Sequence, residues 1–303
     1  MFDIIGKRFW YFLISGVVIL SGVVAFVVFG LKPGIEFTSG SELTASFAPS
    51  VTKQQVAQAL ANLGYGTQSA VVRKAGTDFI IDLPQLDDAA KEALQAGLTD
   101  QLGKYQSGGF ELVSAKAAAD TTRNTVIAVI ISAIAMLLYI SWAFHRMPNP
   151  FRWGVCAIAS LVHDVLVVVG VFAILGGIFG WQVDLMFIAG VLTVIGYSVN
   201  DTIVIFDRIR ENQKKGISPD FEAVVNYSLV ETMSRTLITG IGTLFILIAL
   251  LLVIGASIQN LVVVLLVGIV TGTYSSIGTA ASLLVVWRKG EWGRFLRPAP
   301  ASK

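Results

Sequence analysis

A single cysteine, Cys156, is the only thiol in 303 residues. One thiol forms no intrachain disulfide and supplies no four-cysteine metal site. Charge is scarce too: 14% of the residues are Asp, Glu, Lys or Arg, against about 25% in a soluble domain. The net charge of +2 is too small to argue for nucleic acid as a partner. A nucleotide-binding loop is also missing. Gly6-Lys7 and Gly103-Lys104 are followed by Arg8 and Tyr105, where a phosphate loop requires Ser or Thr. With no soluble catalytic site, cofactor site or metal site in the pattern, the chain is expected not to be an enzyme. Any work it does must draw on a partner or an ion gradient.

What the sequence has in quantity is apolar surface: 54% of its residues are hydrophobic and its mean hydropathy is +0.73. Six runs are long enough, at about 1.5 Å per helical residue, to cross a hydrocarbon core of about 30 Å. They are Phe9 to Phe29, Thr125 to Phe144, Val155 to Ile178, Leu185 to Phe206, Leu237 to Ile254 and Leu261 to Trp287. The first competes with a signal peptide. Its apolar stretch is too long for one and no A-x-A cleavage pattern follows, so it reads as a retained span. The fold class is therefore an α-helical polytopic membrane protein with six transmembrane helices.

Between the first two spans the composition turns polar. Ile35 to Phe47 is strand-like, Thr52 to Leu63 is helical with Thr52 as N-cap, and Gly64 and Gly66 stop it. Ser69 to Arg73 and Phe79 to Leu83 read as a hairpin around Ala75-Gly76-Thr77. In the next segment Leu86, Ala90, Leu94, Leu98, Leu102 and Tyr105 share one helical face, and a last strand runs from Phe110 to Ser114. That order, βαββαβ, predicts an α+β ferredoxin-like domain. The chain divides into residues 1–30 (N-terminus and first span), 31–123 (the extracytoplasmic domain), 124–287 (the other five spans, with a cytoplasmic loop at 207–235) and 288–303 (a basic tail).

Orientation follows from where the basic residues are missing. The short loops Gly180 to Asp184 and Gly255 to Asn260 carry none, whereas Lys7, Arg8, His145, Arg146, Arg152, Arg208, Arg210, Lys214, Lys215 and the tail with Arg288, Lys289, Arg294, Arg297 and Lys303 lie on the other side. The positive-inside rule then places both termini in the cytoplasm and exports the domain. Its own eight basic residues do not oppose this, because long loops cross largely regardless of charge.

The polar residues inside the spans are the functional candidates. Asp201 lies one to two turns inside the cytoplasmic end of the fourth span, where a carboxylate costs roughly 2.5 to 3.5 kcal/mol at mid-helix. Arg235 opens the fifth span from the same side and is within plausible reach. A movable arginine would let the acid bind and release a proton, while a fixed ion pair is the plainer reading. His163 and Asp164 in the third span form either a proton relay or a hydrogen-bonded pair that fixes packing. Asn200, Thr202 and Thr239 are placed to orient Asp201 or hold water beside it. Gly190, Gly196, Ser198, Gly240, Gly242, Gly268, Gly272, Ser275, Ser276 and Gly278 recur at helix-packing spacing and read mostly as packing. Asp207, Arg208, Arg210 and Glu211, with Phe221 to Leu229, suggest an amphipathic cytoplasmic helix or two, and Asp184 beside Trp181 an interfacial anchor.

Three stretches together resemble a known family. They are Gly34-Ile35-Glu36-Phe37-Thr38-Ser39-Gly40 after the first span, Leu161-Val162-His163-Asp164 in the third, and GYSVNDTIVIFDRIREN from Gly196 to Asn212 with Ser234-Arg235-Thr236 in the fourth and fifth. The chain resembles, over essentially its whole length, the SecF branch of the SecD/SecF protein-export family, part of the resistance-nodulation-division (RND) superfamily. The match departs at Ser39-Gly40, where the family usually has two glycines. The resemblance implies an RND-type half that pairs with SecD about a pseudo-two-fold axis in the bacterial cytoplasmic membrane. It implies as further partners the SecYEG channel, the SecA motor, the translocating preprotein and YajC. It also implies that Asp201 and Arg235 take part in proton movement that drives late stages of export. An RND-type exporter of lipid or small molecules and a passive scaffold subunit are the alternatives.

Overall fold

The computed structural model describes residues 2–66, 69–75, 78–145, 149–253 and 258–292. Six helices within it are long and apolar enough to cross a membrane. The first is α1 (Arg8–Phe29), entered through a 3-10 turn at Ile5–Lys7. After the domain come α5 (Ala115–Phe144), α6 (Pro150–Phe179), α7 (Leu185–Lys214) and α8 (Phe221–Val253). The sixth span is composite: α9 (Gln259–Ser275), a π-helical segment (Ser276–Ala280) and α10 (Ala281–Lys289). Several of these helices outrun their apolar runs. Residues Phe221 to Leu229, expected as a separate interfacial helix, are instead the first turns of α8 and continue into the fifth span.

Helices α6, α7 and α9 form the inner layer, and α1 packs along α6. Glycine makes that packing possible. A Cβ built on Gly170 would lie 2.6 Å from the Cα of Gly22, so α1 and α6 meet backbone against backbone, which small residues alone allow. By contrast, only 6% of the apolar stretch of α5 is buried. That helix presents its side chains to lipid or to another chain.

The domain between the first two spans contains α2 (Ile35–Thr38), β1 (Gly40–Ser46), α3 (Lys53–Asn62), β2 (Val71–Ala75), β3 (Asp78–Leu83), α4 (Asp88–Leu102) and β4 (Gln106–Val113). Its sheet has the order β2-β3-β1-β4 with every neighbour antiparallel, the arrangement expected of the ferredoxin-like βαββαβ chain. Thr52 caps α3 through a reciprocal pair with Gln55, and Asp87 caps α4, satisfying amides that a helix start leaves open. The turn expected at Gly76-Thr77 lies outside the described residues, as do Arg146, Ile254, Gly255, Arg294, Arg297 and Lys303.

Strand alternation gives the sheet two unlike faces. Leu43, Ala45, Phe79 and Ile81 pack with Val56, Leu60, Leu94 and Leu98 of α3 and α4 in a closed apolar core. Glu42, Thr44, Arg73 and Ile80 line the opposite side, toward the α6–α7 connection. One expectation fails here. The strand predicted from Ile35 begins only at Gly40, because Phe37 N and Thr38 N turn back to the Gly34 carbonyl and make α2 a single helical turn. Ser39 follows at φ +68°, ψ +158°, a conformation that is nearly glycine's alone.

Candidate functional site

The polar groups buried in the bundle converge on Asp164, which is 0% exposed. Its Oδ1 faces His163 Nδ1 at 2.9 Å. Its Oδ2 accepts from Ser198 Oγ of α7 at 2.5 Å and from Ser275 Oγ of α9 at 2.8 Å. Burying a charge is costly unless it is hydrogen-bonded, and these three partners supply what water would. His163 reaches the other way: its Nε2 lies 2.9 Å from Ser15 Oγ of α1. Ser15 is in turn 3.2 Å from Tyr274 OH, and Tyr274 donates to the Tyr11 carbonyl at 2.7 Å. A single cluster therefore ties together the first, third, fourth and sixth spans.

One helix here serves two neighbours: Ser275 bonds Asp164 of α6 while Ser276 Oγ lies 2.9 Å from Thr202 Oγ1 of α7, as side chains about 100° apart along a helix allow. Widening of the helix begins at Ser276, and single π turns are frequent at functional sites.

Asp201 is 7% exposed and its Oδ2 has no hydrogen-bond partner among the described residues. Arg235 is close enough for its charge to act on Asp201, but no ion pair joins the two, and the arginine is exposed. Thr202 is committed to Ser276, and Thr239 donates to the Arg235 carbonyl at 2.8 Å. Asn200 is exposed. The expected Asp201 site is thus open, and the described structure brings His163 and Asp164 together without bonding either to Asp201. Ser15, Ser198 and Ser275 are the residues that the sequence pattern missed as ligands of this centre. Serine at helix-packing spacing is the ordinary sign of close packing, so nothing in the spacing distinguished them.

On the side of the termini, the charged end of α7 docks on α8. Arg208 pairs with Glu231 and, at 2.6 Å, with Glu211, and Asn212 Nδ2 donates to Ser228 and Glu231. Arg8 of α1 pairs with Glu222 at 2.6 Å and Glu291 at 2.7 Å. The basic residues expected to mark this side are therefore also clamps between spans.

A second charged cluster lies outside the spans, in a cavity of about 230 Å³ between the sheet and the α6–α7 connection. Arg73 pairs with Asp82 at 2.7 Å and with Glu42 at 2.9 Å, while Gln182 Nε2 donates to Asp82 at 2.7 Å. Burial works against the Arg73 guanidinium, but Asp82 and Glu42 outweigh it and hold its pKa above the ordinary value. Burial pushes Glu42 up to about 7, against the pull of Arg73 and with Asp82 adding to the push. Asp184, expected as an interfacial anchor, is the N-cap of α7. It accepts from Phe187 N at 2.7 Å and from Asn260 Nδ2 at 2.6 Å. Backbone pairing completes the joint: Gly34 N donates to the Val183 carbonyl at 2.8 Å and Val183 N to that of Lys32 at 2.7 Å.

Residues 94–290 match the family model described as protein export membrane protein SecD/SecF, C-terminal, and residues 24–51 match the SecD/SecF GG motif. A protein translocase subunit SecF from Thermobaculum terrenum is 39% identical, over 98% of this chain and 97% of its own length. The protein translocase subunit SecDF of Bacillus subtilis is 32% identical over 95% of this chain, which spans 38% of that longer protein. Among solved structures, SecDF from Thermus thermophilus, a translocon-associated membrane protein, superposes with a TM-score of 0.85 at 30% identity. It covers 95% of this chain, which in turn covers 39% of it.

Proposed function

The chain belongs to the SecD/SecF family of protein-export membrane proteins, and from that premise we propose that it uses the proton gradient, together with a SecD-type partner, to promote late stages of preprotein export. It is a multi-pass membrane protein and a subunit of Sec protein translocation. The proposed setting is a bacterial cytoplasmic membrane with both termini in the cytoplasm, beside the SecYEG channel and its SecA motor. Relatives that carry SecD and SecF in one SecDF chain support the SecD partner.

The observation that carries the proton reading is Asp201. A buried carboxylate oxygen without a partner, near an arginine that is not bound to it, is an acid that can gain and lose a proton without first breaking an ion pair. Asp164 differs in kind, because its oxygens are already fully engaged. The test is Asp201→Asn in the assembled complex, read as late-stage export in proton-energised vesicles. Loss of the gradient-driven component with assembly intact is the expected result. Wild-type export from that variant would overturn proton use and leave a passive scaffold.

A further inference from the structure

We propose that Ser15 of α1 is a positioning residue that sets how readily the His163–Asp164 pair takes up a proton, with Tyr274 as the second station for its hydroxyl hydrogen. The inference rests on the proton-driven reading above but concerns a different centre from Asp201.

The argument is a count of donors. Asp164, ionised, accepts from Ser198, Ser275 and His163 Nδ1. His163 Nε2 then faces Ser15 Oγ. Tyr274 commits its own hydrogen to the Tyr11 carbonyl, so toward Ser15 it can only accept. The one hydrogen of Ser15 thus has two principal destinations, His163 Nε2 at 2.9 Å and Tyr274 OH at 3.2 Å, with Thr279 Oγ1 at 3.5 Å as a weaker third. With the ring neutral, Ser15 donates to Nε2 and no proton lies between Ser15 and Tyr274. When a proton is added at Nε2, the ring donates to Ser15, Ser15 rotates to donate to Tyr274, and Tyr274 continues to the Tyr11 carbonyl. Every donor then has an acceptor, and the chain of bonds runs in one sense. No heavy atom has to move.

The titratable groups on the elements packed around the ring are Asp164 on α6, Tyr11 on α1, Tyr274 on α9 and, one turn beyond Ser198, Asp201 on α7. Among the described residues no lysine or arginine pairs with Asp164. Ser15 lies on α1, which runs unbroken to Phe29 and is followed by the domain five residues after Gly30. The proton state of the pair is therefore held by a bond to the span that carries that domain.

The test is the pH profile of gradient-driven export by the full complex in energised vesicles. Ser15→Ala removes the acceptor that favours the charged ring, and is expected to move the profile's midpoint down by about one pH unit. Ser15→Thr, which keeps the hydroxyl, is expected to hold the wild-type midpoint. Tyr274→Phe is expected to move it down by less, since Thr279 remains. A wild-type midpoint in Ser15→Ala overturns the proposal, whatever the export rate. If that variant does not export at all, a wild-type midpoint in Tyr274→Phe overturns it equally. Failure here alongside an inactive Asp201→Asn refutes the role of Ser15 alone, whereas full activity of Asp201→Asn refutes the proton reading itself.

Discussion

The Glu42 carboxyl should make the domain between the first two spans less stable as the medium is brought from mildly acidic to neutral. In the folded domain its pKa is about 7, raised by burial from the ordinary 4.5. Below 4.5 the group is protonated folded or unfolded and has no effect on the balance. Between 4.5 and 7 the folded form holds a proton that the unfolded chain releases, so stability falls as pH rises through that window. The full difference corresponds to ~3 kcal/mol. The side chain remains 24% exposed beside Arg73, and water screens part of it, which leaves about 2 kcal/mol. The assay is amide hydrogen exchange of β1, corrected for the intrinsic effect of pH, on the full chain at pH 5 and pH 7.5. Protection of the amides paired with β3 should drop by about 30-fold at the higher pH. Glu42→Gln, which keeps the shape and can still accept from Arg73, should abolish the difference and retain the acid-side protection. Equal protection at both pH values in the unmodified chain would refute the reasoning, as would a rise.

Three further outcomes follow from backbone geometry. Ser39→Gly relieves a side chain held at φ +68° and should stabilise the domain by about 1 kcal/mol after the added freedom of the unfolded glycine is counted; an unchanged or lower melting temperature would contradict this. Gly170→Ala places a Cβ 2.6 Å from the Gly22 backbone. It should force α1 off α6 at a cost of about 1–3 kcal/mol, seen as a lower melting temperature in detergent. Gly22→Ala combined with it should cost less than the sum of the two, because both open the same seam.

The domain's order was legible because its signals are local. Leu43 and Ala45 alternate with Glu42 and Thr44, and Thr52 with Gln55 forms a cap that can be read from four residues. The spans were legible by length, but their ends were not. Ala115 to Arg123, Arg208 to Lys214 and Phe221 to Arg235 are polar enough to read as domain, loop or separate cytoplasmic helix, yet they continue spanning helices, and Arg208 and Glu231 pair between the second and third of these segments. Ile35 to Phe37 imitates a strand by alternation, and the Gly34 carbonyl draws it into a turn instead. The same division applies to the buried centre. His163 and Asp164 stand together in the chain, so their pairing could be expected. Ser15, Ser198 and Ser275 come from three other helices, and no local pattern reports which small residue of a packed helix turns its hydroxyl toward an acid. The Asp201–Arg235 pair illustrates the converse, since two residues at similar predicted depth are near each other but not bonded.

The π turn at Ser276–Ala280 has one more consequence. It stores a surplus residue in the middle of the sixth span, and a surplus of that kind can be handed along a helix like a wrinkle. Each step re-aims the residue it passes by about 100° while both ends stay where they are anchored, at Asn260 by Asp184 and at Lys289 by Glu222. A shift of the turn along the span would therefore change which hydroxyls face α6 and α7 by an internal twist, with no piston stroke of the helix and with the contacts at Asn260 and Lys289 left in place.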